Sequence, residues 1–415
     1  MNNEEKERIG GIQVEKDKIY DYDTVPTPCF VVEEELLKKN LEILKSVTDR
    51  TGCHILLAQK CFSMYHTYPL LLKYLSGTTA SGLYEAKLGK EYFGKETHVY
   101  SAAYRDDEID ELLDICDHIV FNSFSQWNRF KDKAKQKDIK CGLRINPKCS
   151  TQEGHAIYDP CAPYSRMGIT NEHFDRENLE GISGLHFHTL CEQNSDDLLT
   201  TIKSVKEQFS DVLKEMEWIN FGGGHHITRK DYDIECLVDC INEMKEEFGL
   251  EVYLEPGEAV ALDAGFMITT VLDIVKNGID IAIVDTSAAC HMPDVIEMPY
   301  TPQLAEAVRI AQADRETLVE NLSVTESERM KEEQEKYQLY RIGGPTCLAG
   351  DVIGDYIFDR ELKIGDRLTF KDMAIYSMVK TNTFNGMRLP AIAYKDGEGI
   401  KIIRQFGYED FKNRL

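Results

Sequence analysis

Along the chain, short runs of apolar residues alternate with stretches in which apolar residues recur every three or four positions. Unbroken runs suit parallel strands buried on both faces. They predict strands at Cys53–Gln59, Thr78–Ser81, His98–Ser101, His118–Asn122, Cys141–Asn146, Gly184–His188, Trp218–Phe221 and Glu251–Glu255. Most intervals between them carry amphipathic helical spacing, as in Ser195–Lys214 and Asp233–Glu247. Upstream, Thr27–Val32 reads as a strand, and Glu34–Val47 as a helix with Leu37, Leu41, Leu44 and Val47 on one face. Eight strands alternating with helices predict the α/β class and a (β/α)8 barrel of TIM type. An open doubly wound sheet ranks second, because no G-x-G-x-x-G follows the first strand.

Beyond Glu255 the rhythm changes. Phe266–Val275, Asp280–Asp285, Lys363–Phe370 and Gly399–Phe406 read as strands with few helices between them, predicting a β-rich C-terminal domain to which the N-terminal strand contributes. The expected divisions are 1–49 for the N-terminal strand and lead-in helix, 50–265 for the barrel and 266–415 for the β-rich domain. A charged stretch at 313–338 reads as a solvated surface insertion.

Composition narrows the partners. The 415 residues carry 72 acidic against 48 basic side chains, a formal net charge of −24. That balance argues against nucleic acid or an anionic membrane surface and is compatible with a cationic small molecule. Twelve cysteines without a C-x-x-C pair, and no apolar targeting segment at the start, predict a reducing cytoplasm and no disulfides. No apolar run is long enough to span a bilayer.

Candidate chemistry gathers where the predicted strands end, the face on which barrel enzymes carry their working groups. Lys60 follows the first strand, Thr79 and Ser81 close the second, Arg144 lies on the fifth, and His186 and His188 on the sixth. Gly222–Gly223–Gly224 follow the seventh, and Glu255–Pro–Gly257 closes the eighth. Adjacent glycines let a phosphate approach the backbone closely, although a triple glycine is equally a tight turn. A carboxylate at position 255 can keep a ring nitrogen protonated; an ion pair or a metal ligand competes with that reading. A flat imidazole at the height of His186 or His188 can lie against a cofactor ring, and a backbone-satisfied core histidine is the alternative for at least one of them. A lysine amine, a phosphate cradle and a carboxylate on one rim point to pyridoxal 5'-phosphate, whose aldehyde a lysine holds covalently.

Several phrases together resemble the alanine-racemase-like (fold type III) family of pyridoxal-phosphate amino-acid decarboxylases. They are Leu57–Ala–Gln–Lys–Cys–Phe62, Thr78–Thr–Ala–Ser–Gly82, His186–Phe–His188, Asn220–Phe–Gly–Gly–Gly–His–His226, Glu255–Pro–Gly–Glu258, Asp285–Thr–Ser–Ala–Ala–Cys–His–Met–Pro–Asp294, Gly343–Gly–Pro–Thr–Cys347 and Asn382–Thr–Phe–Asn–Gly386. They span nearly the whole chain, from about residue 25 to 410.

The resemblance implies that Lys60 carries the cofactor, His188 stacks on its ring and Glu255 faces the pyridine nitrogen. It further implies that Gly222, Gly223, Gly224 and Tyr376 hold the phosphate, with Arg144 and Gly257 in the cofactor site. Cys347 would return a proton to the substrate carbon across a homodimer interface. Ornithine-type members have arginine after Glu–Pro–Gly. Here stands Glu258, whose charge suits a substrate ammonium better than a phosphate. Glu258, Asp294 and Asp351 therefore form an expected anionic set for a cationic carboxylated polyamine such as carboxynorspermidine or carboxyspermidine.

Three rivals remain. One is a family decarboxylase acting on diaminopimelate, ornithine or arginine. Another is a metal-dependent barrel hydrolase using His186, His188, His225, His226 and His291 with Glu255, although the expectation here is no metal. The third is a non-catalytic pyridoxal-phosphate carrier.

Overall fold

The computed structural model describes residues 7–9, 12–14, 21–152, 156–309 and 338–415. Residues 313–337 of the expected charged insertion lie outside the described residues. The chain divides into two compact units, one formed by Leu37–Leu262 and the other by the described residues before Leu37 and after Leu262. These divisions fall within the predicted lead-in helix and three residues before the predicted end of the barrel.

In the first unit eight parallel strands close on themselves: His54–Ala58, Gly77–Ala80, Glu96–Tyr100, His118–Phe121, Lys140–Asn146, Gly184–His186, Trp218–Asn220 and Glu251–Leu254. Closure is made by the eighth strand pairing with the first, Tyr253 opposite His54 and Leu254 opposite Ile55. The strands begin and end within a few residues of the predicted runs because both of their faces are buried, with polar residues such as Thr78, His98 and His118 among the buried ones.

The barrel interior is filled by side chains. Trp218 is fully buried beside Leu56, Val120 and Tyr253. Its indole needs the space left by two glycines on neighbouring strands. A Cβ on Gly184 would stand 2.1 Å from the ring and one on Gly142 2.4 Å from it. Outside, helices such as Ser195–Leu213 and Ile234–Phe248 bury one face each; Asn194 and Asp233 cap their first turns through side-chain oxygens.

The second unit is a mixed sheet. Its order is Val308–Arg309, Val352–Phe358, Gln338–Gly343, Ile279–Val284, Gly265–Asn277, Cys29–Glu33, Ala391–Asp396 and Gly399–Arg404, with Arg367–Lys371 also pairing to Gly265–Asn277. Cys29–Glu33 lies between two partners, antiparallel to Gly265–Asn277 and parallel to Ala391–Asp396. The early strand thus belongs to the late sheet, as expected. Val352–Phe358, Gln338–Gly343 and Ala391–Asp396 were not anticipated. In the first two, Arg341 and Asp355 stand opposite each other and form a bidentate pair at 2.8 and 3.1 Å, with Asp355 a charged residue buried within its strand.

Candidate active site

At the C-terminal mouth of the barrel lies a cavity of about 490 Å³ lined by Lys60, Thr79, Ser81, Arg144, His186, His188 and Glu255, among others. The first strand ends at Ala58, and the amides of Cys61 and Phe62 both return to Ala58 O, at 3.1 and 3.4 Å. That turn presents Lys60 to the cavity. Gly257 packs against the same turn: a Cβ there would lie 2.5 Å from Cys61 Cβ. Glycine at 257 is therefore required for close approach between the eighth and first strand ends.

Arg144, His186 and Asn220 stand at one level on the fifth, sixth and seventh strands, each opposite the next. Glu255 lies just beyond the eighth strand and is buried. Its Oε1 accepts from Asn220 Nδ2 at 2.8 Å, and its Oε2 lies 3.4 Å from His186 Nε2. Burial favours the neutral acid, but the bonds to His186 and Asn220 outweigh it and draw the carboxyl down to about 2. Glu255 is thus a buried anion at the wall of the cavity. His186 is lowered by burial and drawn back in part by Glu255. Its Nδ1 is buried without a hydrogen bond among the described residues.

His188 is held by the glycine loop. Its Nδ1 accepts from Gly223 N at 2.7 Å, which places the ring proton of the neutral form on Nε2. Burial, then the charges of Lys60 and Arg144, push this imidazole well below its ordinary range. Arg144 donates to His188 O at 3.0 Å, and its guanidinium lies 4.6 Å from the centre of the Tyr100 ring. Tyr100 in turn stacks on His186 at 5.4 Å.

Sequence reasoning missed both Tyr100 and Asn220. Asn220 could have been found from its place at a strand end two residues before the glycines; Tyr100 closes a short strand and gave no such signal.

The glycine loop differs in detail from the expected cradle. Gly222 N donates to Asn220 Oδ1 at 2.8 Å, and the Gly223 amide is spent on His188. Among the described residues Gly224 N–H has no acceptor. Gly224 has φ +83° and passes so close to the preceding loop that a Cβ would stand 2.1 Å from Leu190 O. Glu258 Oε2 lies 3.2 Å from His226 Nε2.

The remaining candidates belong to the sheet unit. Cys347 is exposed, and its amide donates to Asn385 Oδ1 at 2.8 Å. Asp351 is buried, its carboxylate accepting from Thr346 Oγ1 at 2.7 Å and Ser287 Oγ at 2.9 Å. Asp294 pairs with Lys380, whose Nζ lies 5.6 Å from the centre of the Tyr376 ring. Tyr376 itself has φ +55°.

The residues present fit pyridoxal phosphate: a lysine amine at the cavity, an ionised carboxylate able to receive a pyridinium N–H, and an unpaired amide in a close-packed glycine loop. An eight-stranded barrel that carries such a site at its mouth, in a chain that also has a sheet unit, defines a cofactor-dependent lyase of the barrel type. The chain belongs to the pyridoxal-dependent decarboxylase family, whose model, described as "Pyridoxal-dependent decarboxylase, C-terminal sheet domain", matches residues 19–374.

The chain is 43% identical over 394 residues to the carboxynorspermidine/carboxyspermidine decarboxylase of Campylobacter jejuni, covering 95% of this chain and 99% of that one. It is 39% identical to the carboxyaminopropylagmatine decarboxylase of Synechocystis, covering 94% and 96%. Among solved structures, the Campylobacter jejuni carboxynorspermidine decarboxylase complexed with norspermidine matches with a TM-score of 0.83 at 41% identity, covering 94% of this chain and 100% of that one.

Proposed function

We propose that this enzyme releases CO2 from an α-amino acid whose side chain is a cationic polyamine, with carboxynorspermidine and carboxyspermidine as substrates and norspermidine and spermidine as products. The observation that carries the reading is the meeting of Lys60 and the ionised Glu255 at one cavity, in a chain 43% identical to a relative named for those substrates. Lys60 would hold pyridoxal phosphate, which supplies an electron sink for the pair left behind when CO2 departs. Glu255 holds a proton at the ring nitrogen, and Asn220 and His186 hold Glu255. His188 remains neutral and can lie flat against the ring. Arg144 fixes the backbone that carries His188.

Cys347, exposed on the sheet unit, returns a proton to the substrate carbon across a homodimer interface. Its side chain is available for that role, whereas the carboxylate of Asp351 is already committed to two hydroxyls. All twelve cysteines are free thiols, which suits a reducing cytoplasm. Among the described residues no helix is long and apolar enough to cross a membrane.

The test is CO2 release from carboxynorspermidine, carboxyspermidine and carboxyaminopropylagmatine by wild-type and Lys60→Ala protein. The variant is expected to lose both turnover and the visible absorption of the bound cofactor. Wild-type turnover without Lys60, or a strong preference for diaminopimelate over all three, would overturn the reading.

A further inference from the structure

The third barrel strand turns Glu96, His98 and Tyr100 to one face, because alternate residues of a strand share a side. Tyr100 lines the cavity at the C-terminal mouth. Glu96 begins the strand, about 13 Å back along it, at the opposite end of the barrel. There His98 stands directly opposite His118 on the fourth strand. Their imidazoles stack with centres 3.9 Å apart and planes 9° from parallel. The Tyr253 ring packs against both, at 4.9 and 5.2 Å, and Trp218 lies 4.9 Å from His118.

Both imidazoles are buried, 2% and 3% exposed, yet His118 Nδ1 has no hydrogen-bond partner among the described residues. A buried polar atom left unpaired costs about 1–3 kcal/mol. Rings stacked this closely repel if both are protonated, so at least one of them offers a lone pair. His98 Nε2 meets Glu96 Oε2 at 3.0 Å, and the Glu96 side chain is 38% exposed, which leaves an approach from solvent. One ligand atom from each of Glu96, His98 and His118 lies within 4.8 Å of the other two. Lys140, a cation that acts on both Glu96 and His118, is countered by Glu251 at 3.6 Å.

We propose that Glu96, His98 and His118 form a binding site for a divalent metal ion of the zinc class at the N-terminal end of the barrel, in departure from the expectation of no metal. Two imidazoles and one carboxylate are a set that Zn2+ takes, with bonds of about 2.0–2.2 Å and a fourth position left to water. Bonds of that length draw the three side chains together. Rotation of the imidazoles about χ2, a broad torsion, opens the stack to admit the ion. The ion gives His118 Nδ1 a partner and ties the third strand to the fourth at the end of the barrel away from Lys60.

The test uses the full-length protein with its cofactor, dialysed against ZnCl2 and analysed for metal by mass spectrometry. Beside it stands His118→Phe, which keeps a flat ring in the stack but no ligand atom. The wild type is expected to hold one Zn2+ per chain more than the variant, a difference that removes zinc bound by the cysteines from the count. ZnCl2 should also raise the thermal midpoint of the wild type by more than that of His118→Phe, since an ion bound to the folded state stabilises it. Glu96→Gln should weaken zinc binding at least about tenfold, the low end for loss of even an outer partner of a metal ligand. Equal zinc content and equal thermal response in the wild type and His118→Phe overturn the proposal. So does equal affinity in the wild type and Glu96→Gln, and that variant decides alone if His118→Phe does not fold.

Discussion

Asn220 donates from Nδ2 to Glu255 Oε1 across 2.8 Å, and its own Oδ1 accepts the Gly222 N–H at the same distance. One buried amide thus ties the Glu255 carboxylate at the cavity wall to the first residue of the glycine loop. Asn220→Ala cuts both bonds and leaves the anion with His186 alone. The expected result is a stability loss of about 2 kcal/mol in urea unfolding, with kcat falling and KM little changed. Unaltered unfolding would show that the two bonds carry no weight.

Glu255 also sets an acid limit. Its folded-state value lies near 2, against an ordinary value of 4.5. A depressed carboxyl contributes stability that is fully present above the unfolded value and is lost as pH falls through the folded one. The window is therefore roughly pH 4.5 down to 2, and the contribution is on the order of 3 kcal/mol. Glu255→Gln should flatten the stability profile in that window, as read by unfolding at a series of pH values. A variant as acid-sensitive there as the wild type would assign the effect to another group.

Gly224→Ala tests the loop itself. A methyl group would meet Leu190 O at 2.1 Å on a backbone already at φ +83°. The strain and displacement should cost roughly 3 kcal/mol and loosen cofactor retention. Thermal unfolding and dialysis of the loaded enzyme report the two effects separately.

In the sheet unit, Asp351 organises the turn that bears Cys347. Its carboxylate binds Thr346 Oγ1 and Ser287 Oγ, and its carbonyl accepts the Gly344 amide at 2.9 Å. Asp351→Asn is expected to lower kcat with little change in KM, and to add nothing when combined with Cys347→Ala. Additive losses in the double variant would mean that Asp351 acts independently of the cysteine.

The barrel was legible because strands buried on both faces leave continuous apolar runs, and because Lys60, the glycines and Glu255 each interrupt such a run at its end. The sheet was only partly legible. Asp355 is buried within a strand, and only its pairing with Arg341 on the neighbouring strand accounts for a charge at that position. At the site, residue types that announce chemistry were visible, whereas Tyr100 and Asn220 act through orientation. A tyrosine at the end of a short strand reads as core, and only its stacking on His186 and its place under Arg144 distinguish it. The glycine triplet announced close approach; which amides remained unspent depended on the side chains of Asn220 and His188.

The placement of Cys29–Glu33 between Gly265–Asn277 and Ala391–Asp396 has a consequence during biosynthesis. The ribosome releases this strand early, and its second neighbour does not exist until residue 396 has been made. Through most of translation the nascent segment Cys29–Phe–Val–Val32 waits with sticky apolar edges, the kind of surface that holdase chaperones shield. A stop codon shortly before residue 391 would leave that wait without an end.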